Sequence, residues 1–470
     1  MDLFKTYFEK NMTAIIDDKK ILQELENASK DQAKVKEVLA KGRELKGLSL
    51  SEVAVLSNIN DPDLVQELFE TANHVKEEIY GNRLVIFAPL YISNLCSNEC
   101  SYCAFRAGNQ AINRRVLTQE EIAEETRILV ESGHKRVLMV AGEAYPKQGF
   151  DYVLDSIDTI YSVQDEHGGS IRRINVNVAP LTVDEFKQLK DKKIGTYQIF
   201  QETYHREVYS KVHLRGKKAD FDWRVTAIDR AMEAGIDDCG VGVLFGLAEW
   251  KYEILALMQH IYYLEDKFGV GPHTISVPRM EFATGSDISE HPPAEVSDED
   301  FLKIVAILRI AVPYTGIIMS TREGPQLRGR TLDLGVSQIS AGSRTNPGGY
   351  AVDHEDMSQF SLGDHRSLDE VIRDIAQKGY IPSFCTGCYR LGRTGEDFMD
   401  LAKPGLIKQH CGPNAASSFM EFLRDYASPE TKKVGMEAME KFISEMSLKD
   451  ADTSRKMVDK VMHGKNDIYI

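Results

Sequence analysis

Six of the seven cysteines in this 470-residue chain fall into two tight sets. Cys96, Cys100 and Cys103 form C-x3-C-x2-C, and Cys385, Cys388 and Cys411 form C-x2-C-x22-C towards the other end. Each set offers three thiolates. A cubane iron–sulfur cluster takes one ligand per iron, usually cysteine thiolate, so three cysteines leave one iron open to a ligand that is not protein. The two sets predict chemistry at two clusters. Disulfides need an oxidising compartment, and the opening Met1-Asp2-Leu3-Phe4-Lys5 runs straight into charged, helix-like sequence without the apolar core of a secretion signal. Structural zinc normally takes four ligands. His410 beside Cys411 keeps zinc open for the second set only. Cys239, the seventh, reads as a buried thiol in a strand.

Composition narrows the class. With 57 basic against 72 acidic side chains, the formal charge of −15 argues against general affinity for nucleic acid or anionic membrane. No apolar run is long enough for a membrane span. A cytoplasmic enzyme is expected.

The cysteine sets need a scaffold, and a barrel can be read from the middle of the chain. β-rich runs alternate with amphipathic helical stretches, the pattern of a parallel sheet with crossover helices. The runs cover residues 84–92, 136–141, 174–179, 196–201, 238–245, 274–279, 316–320 and 336–340. Several are nearly all apolar, as strands covered on both faces should be. Thr118-Gln119-Glu120-Glu121 reads as a capping box opening a helix to Glu131, closed by Gly133, and Ser49-Leu50-Ser51-Glu52 as a second box. Eight β/α units predict an α/β fold, a complete (β/α)8 barrel of the TIM type, with an open partial barrel the alternative if two of the runs are not strands. Residues 80–365 form this barrel, residues 1–79 a helical extension over its bottom, and residues 366–470 a helical domain holding the second cluster. The last twenty residues are polar and expected to fray.

The unusual polar groups fall at the C-terminal ends of these runs, where barrel enzymes keep their active sites. The first cysteine loop follows the first run, and Ala141-Gly142-Glu143 follows the second. Asn177 lies in the third run, Glu202 ends the fourth, and Gly242 to Gly246 end the fifth. Arg279 ends the sixth, Ser320-Thr321-Arg322 the seventh and Ser340-Ala341-Gly342-Ser343 the eighth.

C-x3-C-x2-C with an aromatic before its last cysteine, at the first strand end of a barrel, resembles the radical S-adenosylmethionine superfamily. The resemblance implies that Cys96, Cys100 and Cys103 bind a 4Fe–4S cluster whose open iron chelates S-adenosylmethionine, and that an electron from the cluster yields a 5′-deoxyadenosyl radical. It implies that Tyr102 lies along the adenine. Ala141-Gly142-Glu143 resembles the family's Gly-Gly-Glu element, with one Ala for Gly, so Glu143 would meet the methionine amino group. Glu202 and Arg224 resemble the ribose and carboxylate contacts, and Asn177 joins them as a cofactor contact. For Arg224 a solvated position on a helix is the plain alternative.

Within that superfamily the chain resembles the aromatic amino acid lyases: the 2-iminoacetate synthases of thiamine biosynthesis and the tyrosine-cleaving maturases of FeFe-hydrogenase. Cys385-Thr386-Gly387-Cys388-Tyr389-Arg390, Gly392-Arg393-Thr394-Gly395 and Cys411-Gly412-Pro413-Asn414-Ala415 resemble the maturases, and the likeness runs from about Leu48 to about Tyr426. It implies cleavage of L-tyrosine at Cα–Cβ to p-cresol and dehydroglycine. The latter would become carbon monoxide and cyanide on iron at a second 4Fe–4S cluster, for assembly of the hydrogenase's H-cluster with other maturation proteins. It also implies that His273 helps to hold an additional iron there, although a lone histidine before a strand is more often a hydrogen-bonded loop residue.

Tyrosine's carboxylate calls for a bidentate cation. Arg322 is the first candidate and Arg279 the second, with Ser320, Ser340 or Ser343 receiving the amino group or bonding to the carboxylate. Arg322–Glu323 or Arg279–Glu281 ion pairs are the structural alternatives. For the whole chain the alternatives are the thiamine enzyme with a structural second set, a lyase for another aromatic amino acid such as tryptophan, and a non-enzymatic iron-cluster carrier.

Overall fold

The computed structural model describes residues 15–352 and 357–470, so the helix-like reading of residues 1–5 lies outside it. Nine parallel strands form one sheet: β1 (Arg83–Ser93), β2 (Arg136–Ala141), β3 (Arg173–Asn177), β4 (Tyr197–Glu202), β5 (Cys239–Val243), β6 (Thr274–Ser276), β7 (Gly316–Met319), β8 (Val336–Ser340) and β9 (Ile381–Ser383). β1 pairs with both β2 and β8, so the first eight strands close into a (β/α)8 barrel. All eleven positions of β1 are buried, as its unbroken apolar run requires. β6 stops three residues before the expected bound, because Pro278 has no N–H to continue the ladder. The helix over Gln119–Glu131 opens on the predicted box, with Thr118 and Glu121 bonding each other's backbone N–H.

Helices Asp18–Asn27, Gln32–Gly42, Leu50–Ser57 and Pro62–Tyr80 precede the barrel. They pack on its outer helices Trp250–Phe268, Asp298–Ala311 and Pro325–Leu334. The barrel's bottom is closed instead by the segment after residue 366, and that segment is not purely helical. β9 pairs in parallel with the first three residues of β1, Arg83–Val85, and hangs the C-terminal part on the barrel's own sheet. The last residues do not fray. Ser417 Oγ donates to the Ile468 carbonyl at 2.9 Å, and Ile470 N donates to Asn414 Oδ1 at 2.8 Å. No helix among the described residues is long and apolar enough to cross a membrane.

Side chains alternate across a strand, so every second residue enters the barrel. In β1, Arg83 and Val85 enter near the bottom and Phe87, Pro89 and Tyr91 near the top. Arg136 and Arg173 enter at the bottom from β2 and β3, whose tops contribute Leu138, Val140 and Asn177. The same register therefore lines two cavities, one at each end.

Candidate active site and a second cysteine cavity

The first cavity, about 180 Å³, opens at the C-terminal strand ends and is lined by Cys96, Cys100 and Cys103. Backbone bonds clamp the cysteine loop: Ser101 N donates to Val212 O, Glu99 N to Arg215 O and Leu214 N to Glu99 O, at 2.8–2.9 Å. Gly142 N donates to Ser93 O at 2.9 Å, and a Cβ there would collide with the Leu95 carbonyl. Gly142 is therefore required for the close approach, whereas Ala141, extended within β2, accommodates its methyl group. Tyr102 lines the cavity with its hydroxyl 2.9 Å from His213 Nε2, while His213 Nδ1 lies 2.9 Å from the Tyr209 carbonyl. Burial holds the His213 pKa down at about 2. The ring is neutral, so Nδ1 carries its proton to the carbonyl and the Tyr102 hydroxyl donates to Nε2.

Three acids and three bases share this cavity: Glu143, Glu202, Glu281, Lys218, Arg224 and Arg322. Two pairs are closed. Glu143 accepts from Arg224 Nη1 at 2.8 Å and from Asn98 Nδ2 at 2.7 Å, and Glu202 accepts from Lys218 Nζ at 2.6 Å. Arg224 is 3% exposed and also donates to the Phe200 carbonyl, so it is no solvated helix residue. Burial alone would raise the Glu143 pKa, but Arg224 and Lys218 outweigh it and hold the carboxylate charged. Glu202 has φ 72°, a left-handed turn that breaks the β4–β5 register and aims its side chain inward. The turn is anchored from behind by Glu253, fully buried on the helix Trp250–Phe268, which accepts from Tyr204 N at 2.9 Å and from the Thr203 hydroxyl. Burial raises the Glu253 pKa to about 7.

Arg322 sits over the Phe360 ring, 3.3 Å from guanidinium carbon to ring centroid, and among the described residues no carboxylate reaches it within 4.0 Å. Ser340 Oγ accepts from Thr321 N at 3.1 Å and Ser320 Oγ from Arg322 N at 3.3 Å. Both serines thus brace the turn that presents Arg322 and keep hydroxyl protons to donate. Asn177 lines the wall and donates to the Gln198 carbonyl at 2.7 Å.

Two expected substrate residues are corrected. Arg279 is bidentate to Glu323, at 2.8 and 2.5 Å, and also meets Asp298 at 2.9 Å and the Val296 carbonyl. Its donors are consumed, and its side chain is not on the cavity wall. The structural partner is Glu323 rather than Glu281. Ser343 is buried with no hydrogen-bond partner for its hydroxyl and is likewise off the wall.

The second cavity, about 60 Å³, lies at the N-terminal strand ends and is lined by Cys385, Cys388, Cys411 and His273. Four arginines, Arg83, Arg136, Arg173 and Arg393, face one carboxylate, Asp238. Arg173 pairs with Asp238. Arg83, Arg136 and Arg393 each keep a buried Nε without a partner. Burial, and after it Arg173, lowers the Arg136 pKa to about 9. His273 Nδ1 lies 3.5 Å from Asp238 Oδ1, and burial lowers its pKa to about 4. The imidazole is neutral, as a metal ligand must be, with a carboxylate to orient it. His410 is not on this wall and sits 3.4 Å from Arg393 Nη1, so zinc has no fourth ligand from it.

Both donor sets fit a polynuclear cluster. Burial pushes the Cys96, Cys100 and Cys103 thiols up, Cys103 to about 11, so a thiolate there needs a cation, which iron supplies. Among the described residues no three His, Cys, Asp or Glu side chains are gathered to grip a single ion. Three thiols spread around a cavity suit a cubane with one iron per thiolate. At the second cavity, the Cys411 thiol bonding to Cys388, with Arg393 and Arg83 nearby, holds the Cys388 pKa down.

Sequence reasoning did not single out Lys218, Asn98, His213, Arg83, Arg136 or Arg173, and it met Glu281 only as a possible ion-pair partner of Arg279. The period-2 register of β1 to β3 carried the signal for Arg83, Arg136 and Arg173.

The family model of the radical SAM superfamily matches residues 90–261, and that of the Biotin and Thiamin Synthesis associated domain matches residues 276–381. A crystal structure of HydG, a maturase of the FeFe-hydrogenase, is 49% identical over 97% of this chain and 100% of its own, with a TM-score of 0.94. The chain belongs to the HydG family of radical SAM enzymes. HydG from Carboxydothermus hydrogenoformans is 42% identical over 95% of this chain and 97% of its own, with a TM-score of 0.83. The 2-iminoacetate synthase of Escherichia coli is 32% identical over 71% of this chain and 85% of its own length. Radical SAM membership implies a 4Fe–4S cluster and S-adenosylmethionine.

Proposed function

We propose that this chain is a tyrosine lyase of FeFe-hydrogenase maturation, forming p-cresol and dehydroglycine at the first cavity and carbon monoxide and cyanide on iron at the second. The observation that carries this reading is the second three-cysteine cavity, with His273, at the opposite end of the same barrel. A radical SAM lyase that only cleaved tyrosine would need one site.

In this reading residues 80–365 house the radical chemistry and residues 366–470 carry the second cluster, held by Cys385, Cys388 and Cys411, with His273 on an additional iron. At the first cavity Cys96, Cys100 and Cys103 hold a cluster that, with S-adenosylmethionine bound, supplies a hydrogen-abstracting radical. Tyr102 flanks the adenine, with its ring orientation fixed by His213. Glu143 receives the methionine amino group, and Glu202, with Lys218, receives the ribose hydroxyls. Arg224 and Asn177 complete the cofactor wall. Arg322 receives the tyrosine carboxylate as a planar fork, with Ser320 and Ser340 as supporting donors. The apolar wall from Phe87, Tyr91, Leu138 and Ile318 keeps water from the reacting carbon. Other hydrogenase-maturation proteins are the partners this product requires.

A second reading, 2-iminoacetate synthase, is favoured by the 32% identity to the Escherichia coli enzyme. The test is an anaerobic assay of reconstituted protein with dithionite, S-adenosylmethionine and tyrosine, with p-cresol measured and carbon monoxide trapped on deoxymyoglobin. The Cys385→Ser/Cys388→Ser variant is run beside it. Cresol from both proteins, with carbon monoxide lost only in the variant, supports the maturase. Cresol without carbon monoxide from either supports the thiamine enzyme.

A further inference from the structure

The first cavity holds three acids and three bases, and only two pairs are closed. The third pair, Glu281 and Arg322, stays open. Both side chains line the wall, and the loop that carries Glu281 also presents the Arg279 carbonyl to Arg322 Nη1 at 3.4 Å. Yet among the described residues no Arg322 nitrogen comes within 4.0 Å of a Glu281 oxygen, and Glu281 accepts no hydrogen bond. Competitors nearby are spoken for, because Arg279 and Glu323 bind each other. An unpaired carboxylate left partly buried is unfavourable unless something charged completes it.

An open cation–anion pair facing one cavity is the complement of a zwitterion. The carboxylate and ammonium of an α-amino acid are joined through one carbon, so a protein that binds both must hold its cation and anion near each other and apart. We propose that Glu281 receives the substrate's ammonium group while Arg322 receives its carboxylate, making Glu281 the residue that selects an α-amino acid over its deaminated analogue. This assignment rests on the tyrosine reading above. The groups facing Glu281 agree with it. Burial and Glu323 push its pKa up, whereas Arg322 and Arg279 pull it down, so an incoming ammonium relieves a strained carboxylate.

The test uses anaerobically reconstituted holoenzyme with S-adenosylmethionine bound. Binding of tyrosine is compared with that of 3-(4-hydroxyphenyl)propionate, which lacks only the amino group, by equilibrium dialysis. A charge-assisted bond of this kind predicts a wild-type preference for tyrosine on the order of 10- to 100-fold. Glu281→Gln lowers that ratio about tenfold or more by weakening tyrosine while leaving the analogue nearly unchanged, and Glu281→Asp restores most of it. Iron content and cluster absorbance, equal to wild type in both variants, establish that they fold. A ratio unchanged in Glu281→Gln overturns the assignment while leaving the tyrosine reading standing. Wild-type enzyme that binds neither ligand overturns both.

Discussion

The two ends of one barrel are built on the same strands and differ in charge. At the top, three acids meet three bases, and most are already paired with one another. At the bottom, four arginines meet one aspartate, and three of them keep an unpartnered buried nitrogen. A balanced site suits a zwitterionic cofactor and a zwitterionic substrate, each of which brings both signs. An unbalanced cationic site suits an anionic occupant, and three thiolates on an iron–sulfur core are that. The contrast also separates their tolerance of change. Breaking a closed pair at the top strands a charge in a dry site, whereas removing one arginine below still leaves cations in excess.

Experiments can break this comparison at its strongest point. If Cys96, Cys100 and Cys103 hold the cluster as proposed, Cys100→Ser should reduce 5′-deoxyadenosine formation by a factor on the order of 1,000 or more. Cys411→Ser should leave it within roughly tenfold, because its cavity lies at the other end of the barrel. If both variants lose deoxyadenosine equally, the ends are not independent. Next in size, Arg322→Lys should lower kcat/KM for tyrosine about 100-fold, a point charge replacing a planar fork, with uncoupled deoxyadenosine formation persisting. Lys218→Met, which leaves Glu202 with only a distant Arg224 contact at 3.8 Å, should raise KM for S-adenosylmethionine roughly tenfold.

The smallest effect on turnover is expected from Glu253→Gln, behind the Glu202 turn. The folded pKa of Glu253, about 7, lies above its ordinary value of 4.5, so the native state binds the extra proton between them. Its contribution to stability is complete below pH 4.5 and is lost as pH rises through 7, on the order of 3 kcal/mol in all. Urea melts between pH 5 and 8 should show wild-type stability falling with pH and a flatter profile in the variant. An unchanged slope would mean the proton sits elsewhere.

The barrel was legible because β-rich runs alternate with amphipathic helical stretches eight times, several of the runs nearly all apolar, and because thiols at metal-ligand spacing are rare. β9 was not. Three residues with a proline in the middle carry no strand signal, and only their docking on Arg83–Val85 makes them one. Lys218 was not legible, because Lys217-Lys218 sits in a polar turn and its partner Glu202 is sixteen residues away. Arg279 was misjudged for a related reason. Position at a strand end was visible, but its side chain is claimed by Glu323 from the next strand's loop, a pairing that only tertiary structure reveals.

β1 carries the first cysteine loop at its upper end and, through β9, the second cysteine set at its lower end. Eleven residues of extended chain make a rod of about 33 Å from end to end. It is buried along its whole length and stitched to three neighbours. The two cysteine cavities are thus mounted on one stiff strut, which fixes their separation.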